Sequence, residues 1–530
     1  MPIIMCIRYD ISYICIDETH IENKRMEKLH FLIRALTKPQ WKILKVHLKY
    51  LSVRKDSHTQ MLKLAEILLR YDHTPPTLEE CSMLIYGKMN YAAIQKIKSR
   101  LLQRIKSLLV FDVGMEKRST QQEDLDRYGV TIRWETTLYQ ILYNRTGNSP
   151  VLRNTMNDII RLCREYEYYP TLVEILNNKK WMTGYRQGET VMAKINEEVS
   201  FYKRCNEALT KAKDYYFLSV VRSNFTTKDD QIAFQKFLRD CIAELNEDNI
   251  QVKSPFVAYF IKHLEIMYYK IGDNLGVTRE VCLELINIVR NNKSVFSKQR
   301  LAVVYGAIAV CDLKLGDEYL AIENAQAAQK YCLRNSENYF AALEYEFIAR
   351  FYLREIDKCK LICSNLIKST RKEMGDFRYA KYLFYQANLF YLQDRFKEGL
   401  ALLNFKLELS RDKLGWDLSI RILRIQLLLE LGRMDEASTQ FESLSKHVSR
   451  SNIADNIRPR DKIILRILRL LNHEGFTLNR IRTKIEQYCE MLTNEKDLPY
   501  EPLSSEMIPF HNWLEIHYKL NLNKKVIELV

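Results

Sequence analysis

The stretch LAVVYGAIAVCDLKLGDEYLAIENAQAAQKY, residues 301–331, contains two helical patterns on either side of one glycine. In the first pattern Tyr305 and Ile308 are large and Ala309 is small, and Gly316 follows as the turn. The second pattern places small residues one helical turn apart, at Ala321, Ala325 and Ala328. Small side chains on one helical face let a neighbouring helix approach closely. The stretch therefore predicts a tightly packed antiparallel helix pair.

The same order of large, small and turn residues recurs downstream. One copy comprises Leu383, Ala387, Phe390, Phe396, Gly399 and Leu403, and the next comprises Ile425, Leu428, Leu431, Gly432, Met434, Ala437 and Phe441. The equivalent small residues Ala321, Gly399 and Ala437 are 78 and 38 residues apart, which predicts a period near 39 with one degenerate copy around residues 347–367. Because one helix pair cannot bury both of its apolar faces, such copies complete their core by stacking.

Over about residues 255–490 these copies resemble the tetratricopeptide-repeat superfamily, with helix pairs longer than the usual 34 residues. They lack the first key Trp and the closing Pro, so true tetratricopeptide repeats and a looser α-solenoid both fit. The resemblance implies an all-α fold, a right-handed superhelix of antiparallel helix pairs, in which the first helix of each pair lines a concave face. On that face it implies four candidate partner-binding residues: Tyr305, Phe351, Phe390 and Leu428.

Breaks in the helical pattern divide the rest of the chain. We expect residues 1–25 to be an extension from an early gene start, with Met26 as the native start, because the first clean amphipathic pattern begins there. The other predicted divisions are a basic four-helix module at 26–114, a polar linker at 115–127, helices with degenerate repeats at 128–254, and a C-terminal capping segment at 491–530. The patterns at 29–36, 63–68 and 98–105 make the basic module resemble the leading module of uncharacterised bacterial helical-repeat proteins, which implies an architecture and no activity.

Glycine and proline usage argues against the commonest enzyme folds. Fifteen glycines and eleven prolines among 530 residues are too few for the turns of a β-rich or doubly wound protein. The glycines form no G-x-G-x-x-G, no G-x-x-x-x-G-K-[ST] and no G-x-S-x-G motif, so nucleotide-binding loops and the α/β-hydrolase nucleophile turn lack sequence support. We therefore predict that the chain is not an enzyme and binds no cofactor.

Cysteine and histidine spacing favours packing over metal binding. The twelve cysteines form no C-x-x-C pair, and the ten histidines form no H-E-x-x-H motif. Cys359 and Cys363 lie one helical turn apart, but no histidine accompanies them, so we interpret them as core residues. Scattered free cysteines are typical of a reducing compartment, which predicts a cytoplasmic protein. No run of 18 apolar residues predicts a membrane span.

The formal charge of +15 is concentrated in the basic module. Residues 24–55 carry a balance of +9 and residues 88–106 a balance of +6, so the rest of the chain sums to zero. In the second segment the basic residues are spaced along one predicted helix, at Lys88, Lys96, Lys98, Arg100, Arg104 and Lys106. A solvated helix surface explains such residues in most proteins. The alternatives are contact with the phosphates of a nucleic acid and contact with an acidic protein partner.

Adjacent aromatic residues bear on the predicted concave face. Phe351–Tyr352 and Phe390–Tyr391 are neighbours within helices, where successive side chains point about 100° apart. One member of each pair can therefore pack between helices while the other lines a groove.

Two functions follow from these patterns. The first is a scaffold or adaptor that binds a peptide or helix of a partner protein on its concave face. The alternative is a nucleic-acid-associated transcriptional regulator, in which Lys96, Lys98, Arg100, Arg104 and Lys106 contact phosphate and the repeats sense a partner. Salt dependence separates the two, because phosphate contacts weaken steeply as salt rises. The oligomeric state is left open by the sequence.

Overall fold

A computed structural model describes the chain in segments. These are residues 26–34, 36, 38–50, 55–71, 75–113, 125–146, 150–223, 228–373, 376–403, 415–450, 457–478, 480–494, 496 and 498–520. Within these segments there are 23 α-helices and no β-strand, which confirms the all-α prediction. None of the helices in the described segments is long and apolar enough to span a bilayer. The expected extension at 1–25 lies outside the described residues.

The basic module has five helices rather than the predicted four. They are α1 (Glu27–Arg34), α2 (Lys38–Tyr50), α3 (Lys55–Arg70), α4 (Leu78–Tyr86) and α5 (Tyr91–Val113). The extra helix, α4, has only nine residues and ends at Gly87, whose φ of 70° is the left-handed conformation that glycine adopts most easily. Thr77 and Glu80 start α4 with a capping box. The Thr77 N–H donates to Glu80 Oε2 at 2.7 Å, and the Glu80 N–H donates to Thr77 Oγ1 at 3.2 Å.

Five longer helices connect this module to the repeats. They are α6 (Leu125–Thr146), α7 (Pro150–Glu165), α8 (Tyr169–Gln187), α9 (Glu189–Arg222) and α10 (Lys228–Val252). Because α6 begins at Leu125, the predicted linker at 115–127 extends three residues too far, and residues 115–124 lie outside the described segments. Leu172, Ile175 and Leu176 of α8 are fully buried and help to anchor this region's core.

Six helix pairs and a final short helix complete the chain. The pairs are α11 (Pro255–Ile271) with α12 (Leu275–Asn291), α13 (Lys298–Leu315) with α14 (Glu318–Tyr331), α15 (Glu337–Tyr352) with α16 (Ile356–Glu373), α17 (Asp376–Tyr391) with α18 (Phe396–Leu402), α19 (Trp416–Glu430) with α20 (Met434–Arg450), and α21 (Pro459–His473) with α22 (Arg482–Asn494). The last helix is α23 (Phe510–Tyr518). The first helices of successive pairs begin 39 to 43 residues apart, close to the predicted period.

The predicted small and turn residues make these pairs. Gly316 takes a φ of 82° and its N–H donates to the carbonyls at the end of α13, so the chain reverses directly into α14. Ala309 and Ala321 are fully buried where the helices meet. At Gly399 a Cβ would lie 3.3 Å from Leu427 Cδ2, so only glycine lets α18 approach α19 this closely without displacing that side chain.

Contacts between odd-numbered helices create one continuous face. Helix α9 contacts α11, α13 contacts α15, and α17 contacts α19. Side chains bridge the remaining steps: Arg300 of α13 stacks on Tyr259 of α11, and Lys381 of α17 pairs with Glu344 of α15. We call the surface formed by α9, α11, α13, α15, α17, α19 and α21 the first-helix face. It is the surface on which the sequence predicts partner binding.

Candidate partner-binding face

The chain's own C-terminal segment, residues 498–520, lies across the first-helix face from α15 to α21. At α15 the Tyr352 hydroxyl donates to the Pro502 carbonyl (2.9 Å) and shares a 2.6 Å hydrogen bond with the Tyr500 hydroxyl. At α19 the Ser419 hydroxyl bonds the Ser505 hydroxyl at 2.7 Å. The cavity left between the segment, α17, α19 and α21 is only about 30 Å³, roughly one water molecule. The described part of the predicted capping segment at 491–530 therefore also covers helices of earlier pairs.

A buried arginine fixes the middle of this segment. Arg460 of α21 is 3% exposed and forms a bidentate ion pair with Glu506, through Nε to Oε2 at 2.7 Å and Nη2 to Oε1 at 3.0 Å. Its Nη1 donates to the carbonyls of Leu492 and Leu498, and its Nη2 also bonds His511 Nδ1 at 3.0 Å. Burial, reinforced by the Arg460 charge, lowers the pKa of His511 to about 4, so the ring is neutral at pH 7.

Helix α23 is held on Glu430 at the end of α19. One carboxylate oxygen, Oε1, accepts hydrogen bonds from Trp513 Nε1 (2.8 Å) and the Tyr391 hydroxyl (3.0 Å), and it pairs with His517 Nδ1 at 3.0 Å. Burial alone would raise the pKa of Glu430, but the partners, His517 first, lower it overall. The carboxylate is therefore charged at neutral pH and anchors the helix.

The C-terminal segment is too deeply buried to leave the face easily. Six apolar side chains are at most 5% exposed: Leu498, Met507, Phe510, Trp513, Leu514 and Leu520. Burying each one stabilises the fold by about 1.5–3 kcal/mol, so six contribute about 9–18 kcal/mol as an upper estimate. A partner that binds with a micromolar Kd gains about 8 kcal/mol of binding free energy. It would have to displace a segment that is tethered to the face and therefore present at a millimolar effective concentration. The covered half of the face is therefore closed to a partner of ordinary affinity.

The other half of the first-helix face, at α9, α11 and α13, carries a cluster of cations and aromatic rings. Arg300 lies 4.8 Å from the ring of Phe256 and 4.7 Å from that of Tyr259, and Lys213 Nζ lies 5.4 Å from the same Phe256 ring. These four side chains all keep partial exposure. His263, one turn beyond Tyr259 and 4.5 Å from its ring, is buried. We call these five residues the cation–aromatic cluster.

A buried carboxylate beside this cluster has a structural role. Glu167, in the turn between α7 and α8, accepts hydrogen bonds from the hydroxyls of Tyr169 (2.9 Å), Ser294 (2.6 Å) and Ser254, and from the Phe256 N–H (3.3 Å). These donors come from the α10–α11 and α12–α13 connections as well as from α8. Glu167 therefore ties the α7–α8, α10–α11 and α12–α13 turns together and positions the start of α11.

The four predicted concave residues do not form the accessible face. Phe351 and Leu428 are each 3% exposed and pack in the core, so the prediction that they contact a partner is wrong. Tyr305 faces the second helices, since it stacks on Tyr331 of α14 at 5.9 Å and accepts a hydrogen bond from Arg290 of α12. Phe390 is half-buried under Arg395, at 4.4 Å.

The error has a clear physical source. In the first aromatic pair Phe351 packs inward and Tyr352 lies on the first-helix face, where it bonds Tyr500. In the second pair it is again the second member, Tyr391, that bonds a residue of this face, Glu430. Adjacent side chains on a helix point about 100° apart, so one member of such a pair can pack in the core while the other faces the groove. The sequence alone does not indicate which member does which. Lys213 and Arg300 were missed because neither stands in a charged run, and only the fold brings them to one ring.

The predicted basic residues lie along α5. Lys96, Arg100, Arg104 and Lys106 are exposed, whereas Lys98 is half-buried. Lys98 also lies close enough to the buried Cys81 for its charge to offset part of the rise in that thiol's pKa. The structure therefore places four of the five cations where phosphate could reach them.

The cysteines pack as predicted. The Sγ atoms of Cys359 and Cys363 approach the carbonyls of Phe347 and Tyr382, at 3.8 and 3.4 Å, and both residues are buried. Burial raises the pKa of each thiol to about 12. Among the described residues, no group of three His, Cys, Asp or Glu side chains is placed to hold a metal ion.

No protein-family model matches the chain, and no curated protein matches it in sequence. Among solved structures, the chain is similar to the crystal structure of a signal transduction ATPase with numerous domains (STAND) protein with a tetratricopeptide repeat sensor, from Pyrococcus horikoshii. The identity is 10% and the TM-score 0.40, over 83% of this chain and 67% of that one. The stacked helix pairs described above by themselves make the described part of this chain an α-solenoid.

Proposed function

We propose that this chain is a protein-interaction adaptor that binds an extended segment of a partner protein on its first-helix face. The observation that supports this is the C-terminal segment, because its turns and bends before α23 are already bound on that face through Tyr352, Ser419 and Arg460. The face thus offers hydroxyl and guanidinium groups that bond the carbonyl, hydroxyl and carboxylate groups of a bound chain. Helical repeats commonly present such elongated binding surfaces.

The partner's site is the open half of the face at α9, α11 and α13. The covered half is filled, whereas Lys213, Phe256, Tyr259 and Arg300 are partly exposed. Aromatic rings and Arg are the residue types that contribute most to binding energy at protein interfaces. This half combines both on adjacent helices.

Photocrosslinking in the native host tests the proposal. We expect a photoreactive phenylalanine at Tyr259, on the open half, to trap one defined protein, because a bound segment would lie within reach of this ring. The control places the same residue at Tyr319 of α14, a second helix, where the side chain is 72% exposed. Mass spectrometry of the adducts is the measurement. Adducts of equal yield at both positions, or none at Tyr259, would refute the proposed site.

The exposed stripe on α5 favours a second candidate, nucleic-acid binding by the basic module. We expect Arg100→Glu with Arg104→Glu to weaken binding of a labelled DNA or RNA duplex by at least tenfold, and wild-type affinity to fall steeply between 50 and 200 mM salt. Fluorescence anisotropy is the measurement. The matched control is Lys236→Glu with Lys330→Glu, two exposed lysines on α10 and α14. Equal losses in both double variants would show only non-specific attraction.

A further inference from the structure

Two cations of the cation–aromatic cluster have no carboxylate partner. Within the described part of the chain, no carboxylate oxygen lies within 4 Å of Lys213 Nζ or of the Arg300 guanidinium. Arg300 uses one nitrogen, Nη1, to donate to the Val295 carbonyl at 2.9 Å. Both cations face the Phe256 ring, and the Arg300 charge, after burial, helps to lower the pKa of Lys213. Two like charges therefore lie against one ring without an ion pair to a carboxylate of the described residues, an arrangement that a bound anion would stabilise.

The neighbouring acidic groups are not available for this task. Glu167 influences Lys213 from a distance, but its two oxygens already accept four hydrogen bonds. Asp214 follows Lys213 in α9 and is exposed, so it points away from the buried side of Lys213. The missing counter-charge must therefore come from outside the described residues.

A third nitrogen in the cluster also lacks a partner. His263 is 6% exposed, and its Nε2 has no hydrogen bond within the described residues. Burial, with the Arg300 charge, lowers the pKa of His263 to about 3, so the ring is neutral. A buried polar atom without a partner is uncommon in folded proteins and marks a place where a ligand or water completes the structure.

The covered half of the same face shows what such a cation binds. Arg460 holds the Glu506 carboxylate of the non-helical stretch before α23, and its guanidinium lies 5.7 Å from the Tyr500 ring of that stretch. Arg300 has a similar aromatic environment in Phe256 and Tyr259, but no carboxylate. The Arg460 site and the Arg300 site differ chiefly in one respect. The described part of the chain itself supplies a carboxylate to Arg460 but none to Arg300.

We infer that Lys213 and Arg300 form an anion site that takes a carboxylate from an acidic, extended segment of the partner protein. This rests on the proposed function and names the partner's chemistry. Lys213 supplies a point charge and Arg300 a planar fork, which together can hold both oxygens of one carboxylate. The aromatic rings exclude water from one side and so strengthen the attraction.

A labelled, N-acetylated hexaglutamate peptide is the probe, titrated into the full chain by fluorescence anisotropy. We expect Lys213→Met with Arg300→Met to weaken its binding at least tenfold, because Met keeps the packing on Phe256 and removes the charges. The control, Lys236→Met with Lys330→Met, removes the same net charge from exposed positions on α10 and α14 and should change the affinity less than twofold. Equal weakening in both double variants would overturn the inference.

A second measurement needs no variant. Acetylation footprinting of the wild-type chain reports on Lys213 directly, since its partly exposed amine is the group that a bound carboxylate would cover. Hexaglutamate should protect Lys213 at least fivefold, whereas hexaglutamine should not, and Lys330 should be unaffected by either. Protection by inorganic phosphate with none by hexaglutamate would assign the site to phosphate and overturn the carboxylate. No protection of Lys213 at saturating hexaglutamate would overturn the inference altogether.

The outcomes also separate this inference from the proposed function. Suppose that a partner is trapped at Tyr259 and still binds the Lys213→Met, Arg300→Met variant with wild-type affinity. This result would support the adaptor function and overturn the anion site. Suppose instead that hexaglutamate selectively protects Lys213 but no partner is trapped at Tyr259. This result would support the anion site and refute the adaptor function.

Discussion

Replacing Trp513 with alanine should destabilise the last repeats by about 3–5 kcal/mol, the range for truncating a large buried aromatic. Trp513 is 1% exposed, packs on Phe510 at 5.1 Å between ring centroids, and donates to Glu430. The substitution removes both the packing and one of the donors that hold α23 on α19. Because repeat proteins open locally, the loss should concentrate in the helices that the C-terminal segment covers.

Hydrogen exchange with mass spectrometry is the measurement for this variant. Amides of α17, α19 and α21 should exchange faster in Trp513→Ala, while those of α7 and α8 should keep wild-type rates. Ile516→Ala is the matched control, since it lies on the same helix and its side chain is 75% exposed, so its effect should stay within about 0.5 kcal/mol. If both variants exchange alike, the segment is not an integral part of the repeats.

The repeat architecture was predictable because its signals are local. Small residues such as Ala309 and Ala321 and turn glycines such as Gly316 mark where helices meet and reverse, and each is read from a few neighbouring residues. The period follows from their recurrence. Helix α4 was not predicted as a separate helix, because nine residues give too short a pattern to distinguish it from α5.

The functional face was not predictable for the opposite reason. Lys213 and Arg300 are 87 positions apart, and nothing in either local sequence indicates that they share the Phe256 ring. Likewise Tyr500 reads as part of a polar tail until the fold places it against Tyr352. Surface sites of this kind depend on contacts between distant segments, which helical periodicity does not encode.

Replacing Arg460 with methionine should cost about 3–5 kcal/mol, the range for leaving one member of a buried ion pair without its partner. The Glu506 carboxylate is 8% exposed and would keep only the hydrogen bond from the Phe510 N–H, at 2.7 Å. The carbonyls of Leu492 and Leu498 would lose the Arg460 donor. Urea unfolding followed by circular dichroism is the measurement. Arg466→Met, an exposed arginine on the same helix α21, is the control and should be nearly neutral.

The double variant Arg460→Met with Glu506→Leu isolates the pair itself. Since no unpaired charge remains, we expect it to cost about 1–3 kcal/mol, less than Arg460→Met alone, with the residual loss coming from the carbonyls of Leu492 and Leu498. With Glu506→Leu measured as well, the cost of the double variant minus the sum of the two single-variant costs gives the coupling free energy of the ion pair. A double variant as unstable as the sum of the two single variants would show that Arg460 and Glu506 act independently. The C-terminal segment would then be held by its apolar side chains alone, with no recognition of its carboxylate by the first-helix face.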